Sequence, residues 1–136
     1  MNDTCEFCRI IAGDQPAHVL YEDDRTIAFL DRNPAVAGHT LVAPRTHEDA
    51  IVTSDEPGAA AVFETVQTVA DALQAALEPD GFSVFHTSGS LVGTVDHAHV
   101  HLVPRFVDDD VSLSLSRIQI DPDEAAALTK QVQTLL

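Results

Sequence analysis

At 136 residues, 45% of them hydrophobic, the chain is long enough for one compact core and too short for two. Its 22 acidic and 7 basic residues give a formal charge of −15, with Lys130 the only lysine, which excludes the basic footprint that grips nucleic-acid backbones. No run approaches the ~18 apolar residues of a membrane span, and MNDTCEF lacks the basic flank of a signal peptide, so the expected setting is the cytoplasm, without membrane or nucleic-acid partners.

Residues 5–13 (CEFCRIIAG) read as a short helix stopped by Gly13, and Pro16 opens an extended stretch. HVLYED at 18–23 and TIAFLD at 26–31 read as a hairpin turning at Asp24 and Arg25; HTLVAP at 39–44 reads as a third strand, ended by Pro44. From Glu56 to Leu77, Val62, Val66, Val69, Leu73, Ala76 and Leu77 recur near the helical period, with Pro57 at the start and Pro79 beyond the end. FSVFHT at 82–87 and HAHVHLVP at 97–104 read as strands separated by the loop SGSLVGTVD. Residues 107–120 give no clear pattern, and the tail DPDEAAALTKQVQTLL reads as a helix with Asp121 at its N-cap and Pro122 at N1. This order predicts one α+β domain over 1–136, with an antiparallel sheet of about five strands, a long helix and a C-terminal helix.

The strongest feature is the alternation His97, His99, His101. On a strand, alternate side chains share a face, so three imidazoles at spacings of ~6.7 Å project together while Ala98, Val100 and Leu102 face the core. Neighbouring like charges depress one another's pKa, so at least one ring stays neutral at pH 7 and can act as nucleophile, base or metal ligand. In the preceding loop, Gly93 and Thr94 offer backbone amides and a hydroxyl to a phosphate; an ordinary inter-strand turn is the competing reading. Cys5 and Cys8, spaced as CxxC in a cytosolic chain, suggest a metal site or a redox pair, but two ligands cannot close a zinc site.

The run HxHxHxx followed by Pro104 and Arg105 resembles the signature of the histidine-triad (HIT) family. CEFCRIIAGDQPAHVLYEDDRTIAFLDRNP and GHTLVAPRTH resemble the family's N-terminal half, so the likeness covers about residues 5–105. The resemblance implies a HIT-like fold, usually a homodimer, acting at nucleotide α-phosphates through a covalent nucleotidyl-histidine. It implies His99 as nucleophile and His101 as the group contacting the phosphate or bridging oxygen. A neutral imidazole nitrogen is chemically suited to such an attack, which divides one hard displacement into two easier ones. Asp31 matches a family carboxylate that reads the ribose hydroxyls, and Ile27 and Phe29 on the same strand are expected to line the nucleoside pocket, unless they are ordinary core. In the family's zinc-containing branch the positions of Cys5, Cys8, His47 and His97 are the ligands of a structural zinc, a favoured Cys2His2 set.

Two departures stand out, since family members often carry Gln where this chain has Gly93 and Asn where it has His86. They bear on rate and leaving group, phosphoramidate or dinucleoside polyphosphate. His39 is read as structural and His18 as a surface residue. Two other readings compete: a hydrolase with a catalytic zinc on the three histidines, and a non-catalytic nucleotide-binding regulatory module. A transferase resembling uridylyltransferases is a third, although the chain lacks the length of duplicated members. The acidity fits a salt-rich cytoplasm, where screening weakens self-repulsion, and fits an ordinary acidic protein as well.

Overall fold

The computed structural model describes residues 4–52, 58–88 and 95–136. In chain order it contains helix α1 (Glu6–Ala12), strands β1 (Val19–Glu22), β2 (Thr26–Leu30) and β3 (Thr40–Pro44), helix α2 (Gly58–Leu77), strands β4 (Gly81–Phe85) and β5 (Val100–Arg105), and helix α3 (Pro122–Leu135). Helix α1 begins where the sulfur of extended Cys5 accepts the Cys8 N–H, and ends at left-handed Gly13. The β1–β2 hairpin turns on Asp23, whose Oδ1 accepts the N–H groups of Arg25 and Thr26, each at 2.8 Å.

The five strands form one antiparallel sheet in the order β1-β2-β3-β5-β4. Alternation along the strands divides their side chains between two layers. On one face, Val62, Val66, Val69 and Leu73 of α2 pack with Ala28, Val42, Val100 and Leu102. A buried hydroxyl pair, Thr26 and Thr65 at 2.7 Å, joins α2 to β2. On the other face, Phe7, Cys8 and Ile10 of α1 cluster with Ile27, Phe29, Leu41 and Ala43. Both layers remove apolar surface from water, the main driving force for the fold.

Two boundaries differ from the sequence expectation. Strand β5 begins at Val100 rather than at residue 97, because the Ala98 N–H is taken at 2.6 Å by the Glu48 carbonyl and not by a neighbouring strand. The inward alternation persists, with Ala98, Val100 and Leu102 all buried. Glu56 and Pro57, expected to open α2, lie outside the described residues, as do Gly93 and Thr94. Among the described residues no helix is long and apolar enough to cross a membrane.

The entry to β3 is tightly constrained. Gly38 has φ +92°, and a Cβ there would sit 2.7 Å from Leu77 Cδ1 and 3.0 Å from Pro104 Cγ. Both the left-handed backbone and the contact with α2 and β5 exclude a side chain. Gly38→Ala is expected to cost roughly 1–3 kcal/mol in urea denaturation; an unchanged midpoint would contradict this packing.

Candidate active site and metal centre

Register places one row of side chains across the sheet, because Phe29 pairs with Leu41, Leu41 with His101, and His101 with Phe85. Directly opposed residues share a face, here the one away from α2. Phe85 stacks on His101 with ring centroids 4.4 Å apart and planes 10° from parallel, and Phe7 meets His99 edge-on at 5.0 Å. His99 and His101 are themselves 5.0 Å apart. Together with Phe7, Ile10, Phe29, Asp31 and Leu41 they line a cleft of about 470 Å³, a size suited to a small ligand. Ile27, expected in the same wall, does not reach it: only 1% exposed, it is sealed into the cluster under α1 with Cys5 and Cys8. His18 is exposed, as expected, at the cleft's margin.

The alternating histidines do not act as one group. His97 is fully buried and turns its Nδ1 toward the cysteines, 3.5 Å from both Cys5 Sγ and Cys8 Sγ; His47 Nδ1 is 3.4 Å from Cys8 Sγ. The four ligand atoms all lie within 4.8 Å of one another. Tetrahedral zinc with Zn–S near 2.3 Å and Zn–N near 2.0–2.1 Å requires S···N edges of about 3.6 Å, so the donor set and its spacing fit such an ion. His97 Nε2 donates to the Pro44 carbonyl at 2.7 Å, which leaves the Nδ1 lone pair for the metal and fixes the ring by an outer hydrogen bond. These four residues can therefore bind a metal.

Backbone groups fix the other rings in the same way. A carbonyl can only accept, so His99 Nδ1, 2.8 Å from the His97 carbonyl, carries a proton, and the neutral ring keeps a bare Nε2. His101 is set the opposite way through an intermediary. The Ala35 N–H donates to His39 Nδ1 at 3.0 Å, so neutral His39 is protonated on Nε2 and donates across 2.9 Å to His101 Nδ1. His101 is left with its proton on Nε2. Burial lowers the pKa values of His39, His97 and His99, with the Asp31 carboxylate opposing at His39, which favours the neutral rings at pH 7. His101 is pushed furthest, to about 4, by burial and then by its neighbours His99 and His39.

Phe85 was missed in the sequence, His39 was read there only as structural, and His86 only as a departure from the family's Asn. His39 does more than fill space, since it sets the tautomer of His101; its alternation with Leu41 along β3 was the available signal. His86 donates through Nδ1 to the His99 carbonyl at 2.8 Å while its Nε2 accepts the Ile51 N–H at 3.3 Å. A ring thus braces the backbone of His99 where the family often has Asn. Phe85 stacks on the His101 ring without lining the cleft. Asp31 is held by the Asn33 N–H on Oδ1 at 2.9 Å, with Oδ2 3.5 Å from His39 Nε2.

Comparison with known proteins identifies the family of the chain. The chain matches the HIT domain over residues 12–108. It is 38% identical to Protein hit of Bacillus subtilis over 109 residues, covering 79% of this chain and 75% of that one. It is 33% identical to adenylylsulfatase HINT3 of Arabidopsis thaliana over 130 residues, 93% and 66% of the two chains. The adenosine 5'-monophosphoramidase hnt1 of Schizosaccharomyces pombe is 29% identical over 133 residues, 96% and 97% of the two chains. Among solved structures, SMU.412c of Streptococcus mutans superposes with TM-score 0.90 at 38% identity, covering 98% of this chain and 85% of that one. A HIT family protein of Bacillus anthracis gives 0.90 at 29% identity, covering 100% and 99%. A Zn-bound histidine triad family protein of Mycobacterium smegmatis gives 0.75 at 33% identity, covering 96% and 97%. By sequence and by fold, the chain belongs to the HIT domain, or histidine triad, family.

Proposed function

We propose that the protein hydrolyses nucleoside phosphoramidates or dinucleoside polyphosphates at the α-phosphate, through a covalent nucleotidyl intermediate on His99. The observation that carries this reading is the pair of opposite tautomers facing one cleft, a bare Nε2 on His99 beside a protonated Nε2 on His101. The first is a nucleophile and the second a hydrogen-bond donor for the bridging or non-bridging atoms on which negative charge grows. His99 Nε2 attacks phosphorus as the bond to the leaving group breaks; water then breaks the new P–N bond and releases the nucleoside monophosphate. Asp31 accepts from the ribose hydroxyls, and Phe29 with Leu41 packs the nucleoside. Relatives named adenylylsulfatase and adenosine 5'-monophosphoramidase support this class of chemistry. Gly93 and Thr94 remain the proposed phosphate cradle on sequence grounds.

In this reading Cys5, Cys8, His47 and His97 hold a structural zinc that ties α1 to the catalytic strand; a Zn-bound relative supports the choice of ion. A catalytic metal shared by all three alternating histidines fits less well. Among the described residues, His97 belongs to one candidate ligand cluster and His101 to another with Asp31 and His39, while His99 belongs to neither. The protein then works in the cytoplasm as a homodimer on small nucleotide substrates.

Two outcomes are expected. With a fluorogenic adenosine phosphoramidate as substrate, His99→Ala should lose about 10³-fold or more in turnover while keeping its metal and melting temperature. His97→Ala should lose the metal by elemental analysis and melt lower; the reverse pattern would overturn the division. Separately, the His101 ring should titrate by NMR near pH 4 rather than near 6.5. Because its pKa falls on folding, the stability it contributes is complete above pH 6.5 and is lost as pH drops toward 4. His101→Gln should therefore lose less stability than wild type across that window; equal losses would contradict the assignment.

A further inference from the structure

The apolar walls of the cleft, Phe7, Ile10, Phe29 and Leu41, can take the flat faces of any nucleobase and do not tell one base from another. Selection falls to polar groups that meet the edge of the base. Among the described lining residues the carboxylates are Asp31 and Glu6, and Asp31 is the ribose reader of the proposed function. Glu6 stands in the first turn of α1. Arg32, the residue after Asp31, reaches its Oε1 at 2.9 Å, so the ion pair joins Glu6 to the segment that carries the ribose reader.

The Glu6 carboxylate is held in a set orientation. An arginine can only donate, so Arg9 Nε gives its proton to Gln15 Oε1 at 3.1 Å, and the Gln15 amide nitrogen then donates to Glu6 Oε1, also at 3.1 Å. With Arg32 on the same atom, two donors occupy the two lone pairs of Oε1. Among the described residues nothing donates to Oε2, which keeps its lone pairs for a ligand. The side chain is only 23% exposed, so water reaches this acceptor in part and a ligand N–H is rewarded for meeting it.

We propose that Glu6 reads the base, accepting through Oε2 from the adjacent N1–H and N2–H of guanine, so that the cleft favours guanine nucleotides over adenine ones. The assignment rests on the reading above in which the cleft holds a nucleotide with its ribose at Asp31. Guanine sets two neighbouring donors against one acceptor oxygen. Adenine offers one amino group beside a bare N1, whose lone pair repels the carboxylate, and unsubstituted purine offers no donor on that edge. A site whose acceptor is left unmet discriminates through that loss, which shape alone does not provide.

Calorimetric titration of the full chain with GMP, AMP and purine riboside 5'-monophosphate tests this without requiring turnover. Wild type should bind GMP about 10-fold more tightly than AMP, with purine riboside monophosphate weakest. Glu6→Gln is isosteric: its oxygen stays with Arg32 and Gln15, and its amide N–H takes the place of Oε2. The variant should lose the preference for GMP while purine riboside monophosphate, with no donor to oppose, keeps its affinity. Equal wild-type affinities, a preference for AMP, failure of all three to bind, or a ranking that survives Glu6→Gln would overturn the proposal. Turnover of guanosine and adenosine 5'-phosphoramidates separates this from the hydrolase reading. Equal kcat/KM for the two would sink the base assignment and leave the hydrolase, whereas GMP-selective binding with neither compound cleaved would sink the hydrolase and leave the assignment.

Discussion

The site depends on a few hydrogen bonds from backbone groups that can only accept or only donate. The Pro44 carbonyl makes His97 present Nδ1 to the cysteines, the His97 carbonyl makes His99 present a bare Nε2, and the Ala35 N–H, through His39, makes His101 present Nε2–H. Three side chains of identical chemistry therefore present a bare Nδ1, a bare Nε2 and an Nε2–H, which the proposed function uses as ligand, nucleophile and donor. The assignment needs no charge difference between the rings, since it follows from which nitrogen the main chain occupies. The fold contributes by keeping those groups still. The β3–β5 register sets His101 opposite Leu41, and Gly38 lets the chain enter β3 against α2 and Pro104.

Much of this was legible in the sequence wherever the signal was local. Gly13 after an apolar run and Asp121 before Pro122 mark helix ends through their own backbone chemistry, and both do so in the structure. The alternation through 97–102 put Ala98, Val100 and Leu102 in the core, where the structure has them, even though the strand proper starts at Val100. What stayed hidden depends on distant partners. His39 acquires its role from a loop amide at Ala35 and a ring sixty-two positions away, and His86 from the His99 carbonyl just before β5. Ile27 was placed in the cleft because strand alternation gives a face, whereas the extent of α1 over that face decides which residues remain open. Residues 107–120 showed no pattern, and the structure forms no helix or strand there.

The strong negative charge bears on how such a cleft could hold a phosphate. Among the described residues, Arg32 at its margin is paired with Glu6 at 2.9 Å, and burial lowers the pKa values of His99 and His101, so the cleft does not meet an anion with a cluster of free cations. What it offers is the preorganised Nε2–H of His101 beside apolar walls. Such donors keep their direction as charge moves in a reaction and are strengthened where water is excluded. Local geometry can then outweigh a net charge that salt screens within ~10 Å at 0.1 M.

The most direct test is the protonation site of each ring, read by long-range ¹H–¹⁵N correlation of the imidazoles at neutral pH. The account predicts His99 as the Nδ1–H tautomer with a bare Nε2, and His39, His97 and His101 as Nε2–H tautomers. His99 protonated on Nε2, or His101 protonated on Nδ1, would contradict it.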